Sequence, residues 1–370
     1  MDAFLTRSLL EPMVHWSTRP KVLALKTAFE RMIPIYAMVG ILSIVNHFKF
    51  FIPFSLTPLF QIIPFILILS LSLELTSTTS KETWMIASNS MLLTYMMNQN
   101  LHISLGFMVS AIASTYLFYS LYTLLDRLLS KIQIESLPQK ALINNVHWIA
   151  MLLFTGLTLA FPFNVGWLET GLLNLFSLTN SVYFFILINT LNTWSWYKGH
   201  HGTHVLSVWV IPLTGITILF NLIAFSQGQA LPYRFAGYIY AVFGNYALFN
   251  AIQLWLRFKP IHPNDSNLHR HSFLSTWVNI NEALIYSLPL VQKRSIFLMF
   301  ISINAINMGL LFTAFSLNWI QPFFFASPFS IPSLVQSGLG MFNLTGSLVW
   351  IGIVLIDTVL MTPWMLKRRS

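Results

Sequence analysis

The stretch Val278-Asn279-Ile280-Asn281-Glu282-Ala283-Leu284-Ile285-Tyr286 sets one carboxylate and two side-chain amides in an otherwise apolar run that begins just after Trp277. An ionisable group at membrane depth is costly, which makes Glu282 a functional candidate. With Asn279 and Asn281 it supplies donors and acceptors suited to sugar hydroxyls, and Trp277 and Tyr286 add faces on which a sugar ring can stack. The structural alternative is that the three polar side chains satisfy the backbone of a turn made inside the membrane.

A second constellation is Gly199-His200-His201-Gly202-Thr203-His204. Its glycines permit a tight turn and a close approach of ligand to backbone, with His201 as the substrate-contacting residue. A purely structural histidine is the alternative. A metal site is the weaker reading: His200 and His204 are four apart, but Gly202 interrupts the helix, no carboxylate is near in sequence and no third ligand is evident. Asp357, inside the last apolar segment, is expected to serve a structural hydrogen bond. Glu74 and Asp126 sit near span ends and are expected to anchor there, and Glu169 with Trp167 is a candidate entrance. There is no glycine-rich phosphate loop, nucleotide motif or serine elbow, so ATP hydrolysis is excluded, and no cofactor is assigned.

These residues need elements to hold them, and composition says of what kind. Of 370 residues 8% are charged and 55% hydrophobic, with a mean hydropathy of +0.67. A soluble domain carries about 25% charge. Water-soluble, disordered and coiled-coil classes are therefore excluded, leaving an all-α polytopic membrane protein. The net charge of +9 sits in loops and implies no nucleic acid. The absence of cysteine excludes a disulfide framework and any thiol intermediate on this chain, so thiol chemistry would come from a partner.

A spanning helix needs about 20 mainly apolar residues. Ten segments qualify, near 32–52, 58–75, 84–99, 103–125, 147–164, 171–195, 205–225, 235–256, 296–319 and 345–366, with two shorter, interrupted stretches at 277–291 and 322–343 read as re-entrant hairpins. Ten crossings from a cytoplasmic N-terminus put 18 of the 20 Lys and Arg inside and leave only Lys49 and Arg234 outside, as the positive-inside rule favours. The expected location is the plasma membrane, with both termini cytoplasmic and no cleaved leader. Residues 1–31 form an arm, in which Phe4, Leu5, Leu9, Leu10 and Met13 recur at the spacing of an interfacial helix that ends before Pro20. Scaffold helices 1–4 occupy 32–125, a cytoplasmic connector 126–146, the fifth helix 147–164 and a substrate-binding half 165–370. The polar stretch 257–275, with His262, Asp265, His269 and His271, reads as a loop.

The chain resembles the enzyme IIC component of the phosphoenolpyruvate-dependent sugar phosphotransferase system, in its lactose/cellobiose/chitobiose branch. Val278 to Ala283 is similar to that family's Phe-Asn-Ile-Asn-Glu-Pro motif, and Gly199-His200-His201-Gly202 to its Gly-Ile-His-Gly. Ile356-Asp357-Thr358 with Pro363 resembles the closing Ile-Asp-Thr…Pro-Phe, and Leu9 to Pro12, Leu23 to Lys26 and Pro34 follow its opening pattern. Ala283 departs from the motif's proline, which is expected to relax the turn. Lys293-Arg294 replaces Asn-Pro and would either attract a phosphorylated partner or anchor the segment.

The resemblance implies a homodimer whose first five helices form the scaffold, and a mobile part that binds a disaccharide for phosphorylation by a cytoplasmic IIB partner supplied by IIA. It further implies that His201 and Glu282 hold the accepting hydroxyl, with Asn279, Asn281, Gly202 and Trp277 around it. The leading expectation is a permease for a β-linked disaccharide such as cellobiose, chitobiose or lactose, with no catalytic nucleophile of its own. The alternatives are a non-transporting paralogue acting as a membrane sensor or adaptor, and an ion-coupled transporter.

Overall fold

The structure is a computed structural model, describing residues 6–48, 55–76, 81–97, 104–129, 137–160, 171, 173, 174, 176–259, 263–288 and 293–366. Phe4, Leu5, Lys49, Trp167, Glu169, His262 and the cationic tail 367–369 lie outside the described residues. Among those described there is no strand.

After a π-turn at Thr6–Leu10 come α1 (Glu11–Ser17), α2 (Pro20–His47), α3 (Thr57–Thr76), α4 (Lys81–Met97), α5 (Leu105–Leu129) and α6 (Leu137–Ala160). The second half holds α7 (Val182–Tyr197), α8 (Gly202–Ser226), α9 (Ile239–Val242), α10 (Asn245–Phe258), α11 (Pro263–Trp277), α12 (Glu282–Ser287), α13 (Arg294–Ser316), α14 (Ser333–Leu339), α15 (Leu344–Leu360) and α16 (Thr362–Leu366). The helices α2, α3, α5, α8 and α13 are long and apolar enough to cross a membrane. The other expected spans are occupied by α4, α6, α7, the α9–α10 pair and α15.

Four expectations need correction. Pro20 opens α2, because a proline at the first helical position forfeits no hydrogen bond, so the helix begins inside the stretch read as arm. The segment 235–256 is broken at Phe243 and Gly244 between α9 and α10. The stretch 257–275 is mostly helical, as α11. The last span ends at Leu360, and Met361 separates it from α16.

The chain forms two compact units, one of Met1–Arg19, Ile33–Pro53 and Phe176–Ser370, the other of Pro20–Met32 and Phe54–Leu175. The expected boundary at 164/165 falls outside the described residues. In the second unit Met85, Ile86, Leu93, Phe118 and Met151 form an apolar core. Glu74 is ion-paired with Arg31. In the first unit many helices end with a residue in the left-handed region: Gly199, Gly228, Asn279, Asn318 and Phe342. At Gly199 the His200 N–H reaches Ser195 O at 2.9 Å, and at Asn279 the Ile280 N–H reaches Ser275 O at 2.8 Å. These are Schellman caps, which let one helix stop and another begin within a few residues.

Candidate functional site

Two such elbows carry the site, and they are built alike. Gly199 closes α7 and two residues later His201 caps α8 with its side chain; Asn279 closes α11 and two residues later Asn281 holds the N-cap position of α12 without a side-chain capping bond, with Glu282 the first residue of that helix. Across a separation of 81 positions, His201 Nε2 meets Glu282 Oε1 at 2.6 Å.

The partners assign the imidazole tautomer. His204 N–H donates to His201 Nδ1 at 3.4 Å, so Nδ1 must be an acceptor and the proton sits on Nε2. That N–H donates to Glu282 Oε1, which leaves the carboxylate as acceptor. Both side chains remain partly accessible, at 28% for His201 and 42% for Glu282. The second oxygen, Glu282 Oε2, is buried and has no hydrogen-bond partner; Asn281 Oδ1 and Asn192 Oδ1 share that condition. Buried polar atoms are rarely left so. All three are acceptors and all call for a donor.

The structure sorts the other expected site residues. Asn279 is fully committed: Nδ2 donates to Phe329 O at 2.6 Å and Ile331 O at 2.8 Å, and Oδ1 accepts from the Ser333 hydroxyl. It pins its own elbow, between α11 and α12, to the residues leading into α14, so its hydrogen-bonding part is the structural one. Asn281 Nδ2 donates to Asn279 O at 3.2 Å, which leaves its oxygen open. Gly202 leaves no room for a side chain, since a Cβ there would fall 2.3 Å from both Asn192 O and Oδ1. The space that glycine opens is taken by Asn192. Trp277 is half-buried and stacks on Phe273, ring centroids 6.2 Å apart. Tyr286 points outward, 61% exposed.

Ala283 does not loosen the turn. Its N–H lies in the first turn of α12, where a helix has no internal partner to offer, and Asn281 O still accepts from Leu284 and Ile285 at 3.0 Å. Among the described residues no group of three His, Asp or Glu could hold a metal. Asp357, fully buried, accepts from Asn307 Nδ2 at 2.9 Å.

Sequence reasoning missed two neighbours of the site. Asn192 abuts Gly202, and its signal was an amide inside an apolar span. Tyr246, buried on α10, lies within electrostatic reach of Glu282, and nothing in its local sequence marks it. Behind them runs a chain of buried amides: Asn304 Nδ2 donates to Asn245 Oδ1 at 2.8 Å and Asn245 Nδ2 to Asn189 Oδ1 at 3.1 Å. Asn189 Nδ2 in turn meets Tyr240 O at 3.2 Å. This chain wraps Gly244, where a Cβ would fall 2.5 Å from Tyr240 O, and it is what allows the break between α9 and α10.

The chain matches no protein-family profile. No curated protein sequence is similar to it. Its fold is similar to the crystal structure of the transporter ChbC, the IIC component from the N,N'-diacetylchitobiose-specific phosphotransferase system. The TM-score is 0.75 over 97% of this chain and 96% of that one, at 16% sequence identity. The chain therefore has the fold that the motif resemblance implied, a multi-pass helical membrane fold.

Proposed function

We propose that this protein is the IIC permease of a sugar phosphotransferase system. It takes up a β-linked disaccharide of the cellobiose, chitobiose or lactose type, which a cytoplasmic IIB partner, recharged by IIA, phosphorylates. The observation that carries the reading is the His201–Glu282 pair with three unpartnered acceptors, its own Glu282 Oε2 and the oxygens of Asn281 and Asn192. An acceptor cluster in a half-open site suits a neutral ligand rich in O–H donors, which is what a sugar is. The fold shared with a chitobiose-specific IIC component supports the same class.

In this reading Glu282 Oε2 accepts from the hydroxyl that will be phosphorylated, and the His201 contact holds the carboxylate in one rotamer. Asn281 and Asn192 accept from neighbouring hydroxyls, while Gly202 and Asn279 keep the two elbows in register. The chain itself contributes no nucleophile; it orients and desolvates the acceptor. The absence of cysteine fits a phosphoryl donor borne by the partner. The face bearing Lys198, Lys293 and Arg294 is cytoplasmic, both termini lie on that side, and the protein acts as a homodimer in the plasma membrane.

Purified protein in sealed vesicles should take up labelled cellobiose or N,N'-diacetylchitobiose in exchange with the same sugar trapped inside, and phosphorylate it when a IIB partner is added. Glu282→Gln should abolish both. Wild-type uptake by that variant refutes the assignment, and sugar binding without transport identifies a sensor instead.

A further inference from the structure

A cavity lies in the same compact unit as the His201–Glu282 pair, at the other end of α8. His201 caps the N-terminus of that helix and Gly228 closes its C-terminus. Its 25 residues span about 37 Å, more than the ~30 Å hydrocarbon core, so the two ends lie on opposite membrane faces. The cavity, of about 410 Å³, is lined by His47, Phe48, Phe225, Gln229, Gln321 and Phe342 among others.

Its chemistry is specific in what it lacks and what it offers. None of the lining residues is Lys, Arg, Asp or Glu, so it suits neither an inorganic ion nor a phospholipid headgroup. Two large rings stand open to it, Phe48 at 51% and Phe342 at 46% exposure, with centroids 5.7 Å apart. His47 packs on Phe225 at 4.9 Å and extends the aromatic wall. Two side-chain amides share the lining: Gln321 Nε2 is fixed on Met341 O at 2.8 Å, which leaves its oxygen to accept, and Gln229 is exposed. Phe342 is held at φ 50°, a left-handed conformation that a bulky residue adopts only where its surroundings enforce it. The fold thus spends backbone strain to present that ring. Flat apolar faces combined with uncharged amides match a ligand with C–H faces and hydroxyl edges, and the volume falls within the ~300–1,000 Å³ of small-ligand sites.

We infer that this cavity is a carbohydrate-capture site on the face opposite His201 and Glu282, where Phe48 and Phe342 stack on a sugar ring and Gln229 and Gln321 bond its hydroxyls before the sugar moves inward. The inference rests on the permease reading, which makes this the extracytoplasmic face.

The test uses full-length protein in nanodiscs, titrated with cellobiose and N,N'-diacetylchitobiose and read by saturation-transfer NMR and calorimetry. Wild type should show two classes of site. Glu282→Gln should lose the tighter and retain the weaker. Adding Gln229→Ala or Phe342→Gly to that variant should weaken the remaining class by about tenfold, the scale of one lost hydrogen bond or ring contact. Phe342→Gly relieves the backbone while removing the ring, and a melting temperature at or above that of its parent verifies folding. Sugar binding by wild type with none left in Glu282→Gln, or a weaker class indifferent to both changes, overturns the capture site and leaves the permease standing. A wild type that binds neither sugar takes both readings down.

Discussion

In the unit formed by Pro20–Met32 and Phe54–Leu175, buried polarity is mostly carried by hydroxyls that turn back on their own helix. Ser90 bonds Ile86 O, Thr115 bonds Ala111 O and Thr155 bonds Met151 O. The unit's cross-helix bonds include Thr76 with Thr83 at 2.7 Å between α3 and α4 and Thr94 with Ser114 at 2.9 Å between α4 and α5, and its buried amide Asn89 turns back on Met85 O while accepting from Thr155. The unit containing Phe176–Ser370 buries amides, and they reach across to other segments. Asn221 Nδ2 donates to Tyr233 O and Phe323 O, each at 2.7 Å, Asn279 ties two stretches 50 residues apart, and Asn189, Asn245 and Asn304 form a chain. A hydroxyl bonded four residues back leaves its helix whole. An amide offers two donors and an acceptor on a short stem, enough to replace the backbone partners a broken helix loses. Since interrupted backbone survives at membrane depth only where such partners exist, the unit with the amides is the one able to form elbows and a site.

Substitution of the most heavily used amide should expose this difference most sharply. Asn279→Ala loses the bonds to Phe329 O and Ile331 O and puts a Cβ-bearing residue without a polar stem at φ 66°. It should destabilise by about 3 kcal/mol or more, read as a lower melting temperature in detergent. Asn279→Gly, which accepts that φ, should recover part of the loss. Equal melting of Asn279→Ala and wild type would remove the amide as the distinguishing device.

Gly202→Ala comes next. Its methyl must displace the Asn192 carbonyl, at about 1–3 kcal/mol, and sugar affinity should fall with stability because His201 is the adjacent residue. Thr94→Val in the hydroxyl unit should cost only about 0.5–1.5 kcal/mol and leave sugar affinity unchanged in the same binding assay. A large binding defect there would break the comparison.

The smallest effect concerns His269 on α11. Burial, with the nearby Arg257 cation, lowers its pKa below the ordinary histidine value, while Nδ1 donates to Gln253 Oε1 at 2.9 Å. The unfolded chain therefore binds this proton first, so its contribution is complete above the ordinary pKa of ~6.5 and is lost as pH falls below it. Melting temperature should drop slightly between pH 7 and 5, and less so in His269→Gln.

Much of the fold is legible along the chain. Hydropathy placed helices at the ten expected segments and flagged 277–291 and 322–343 as interrupted, because burial in lipid demands long apolar runs and tolerates few exceptions. The elbows are partly legible too, since Gly199 and Asn279 are residue types that accept positive φ. Missed were the break at Gly244 and the helix α11. Residues 235–256 are mainly apolar, and the amide of Asn245 with those arriving from Asn189 and Asn304 makes the break tolerable. Polar α11 is stabilised by Gln253 on α10, whose Nε2 donates to Ser272 and Thr276.

Composition and order alone determined that the chain lives in a membrane, where its long apolar segments fall and which few polar residues deserve suspicion, because the cost of moving each side chain from water into lipid adds up locally. Tertiary structure decided which suspects work together. It set His201 against Glu282, spent Asn279 on holding the elbow and brought Asn192 to the site. A hydrogen bond depends on two atoms meeting within about 3 Å, and no local property of either sequence neighbourhood fixes where its distant partner will be.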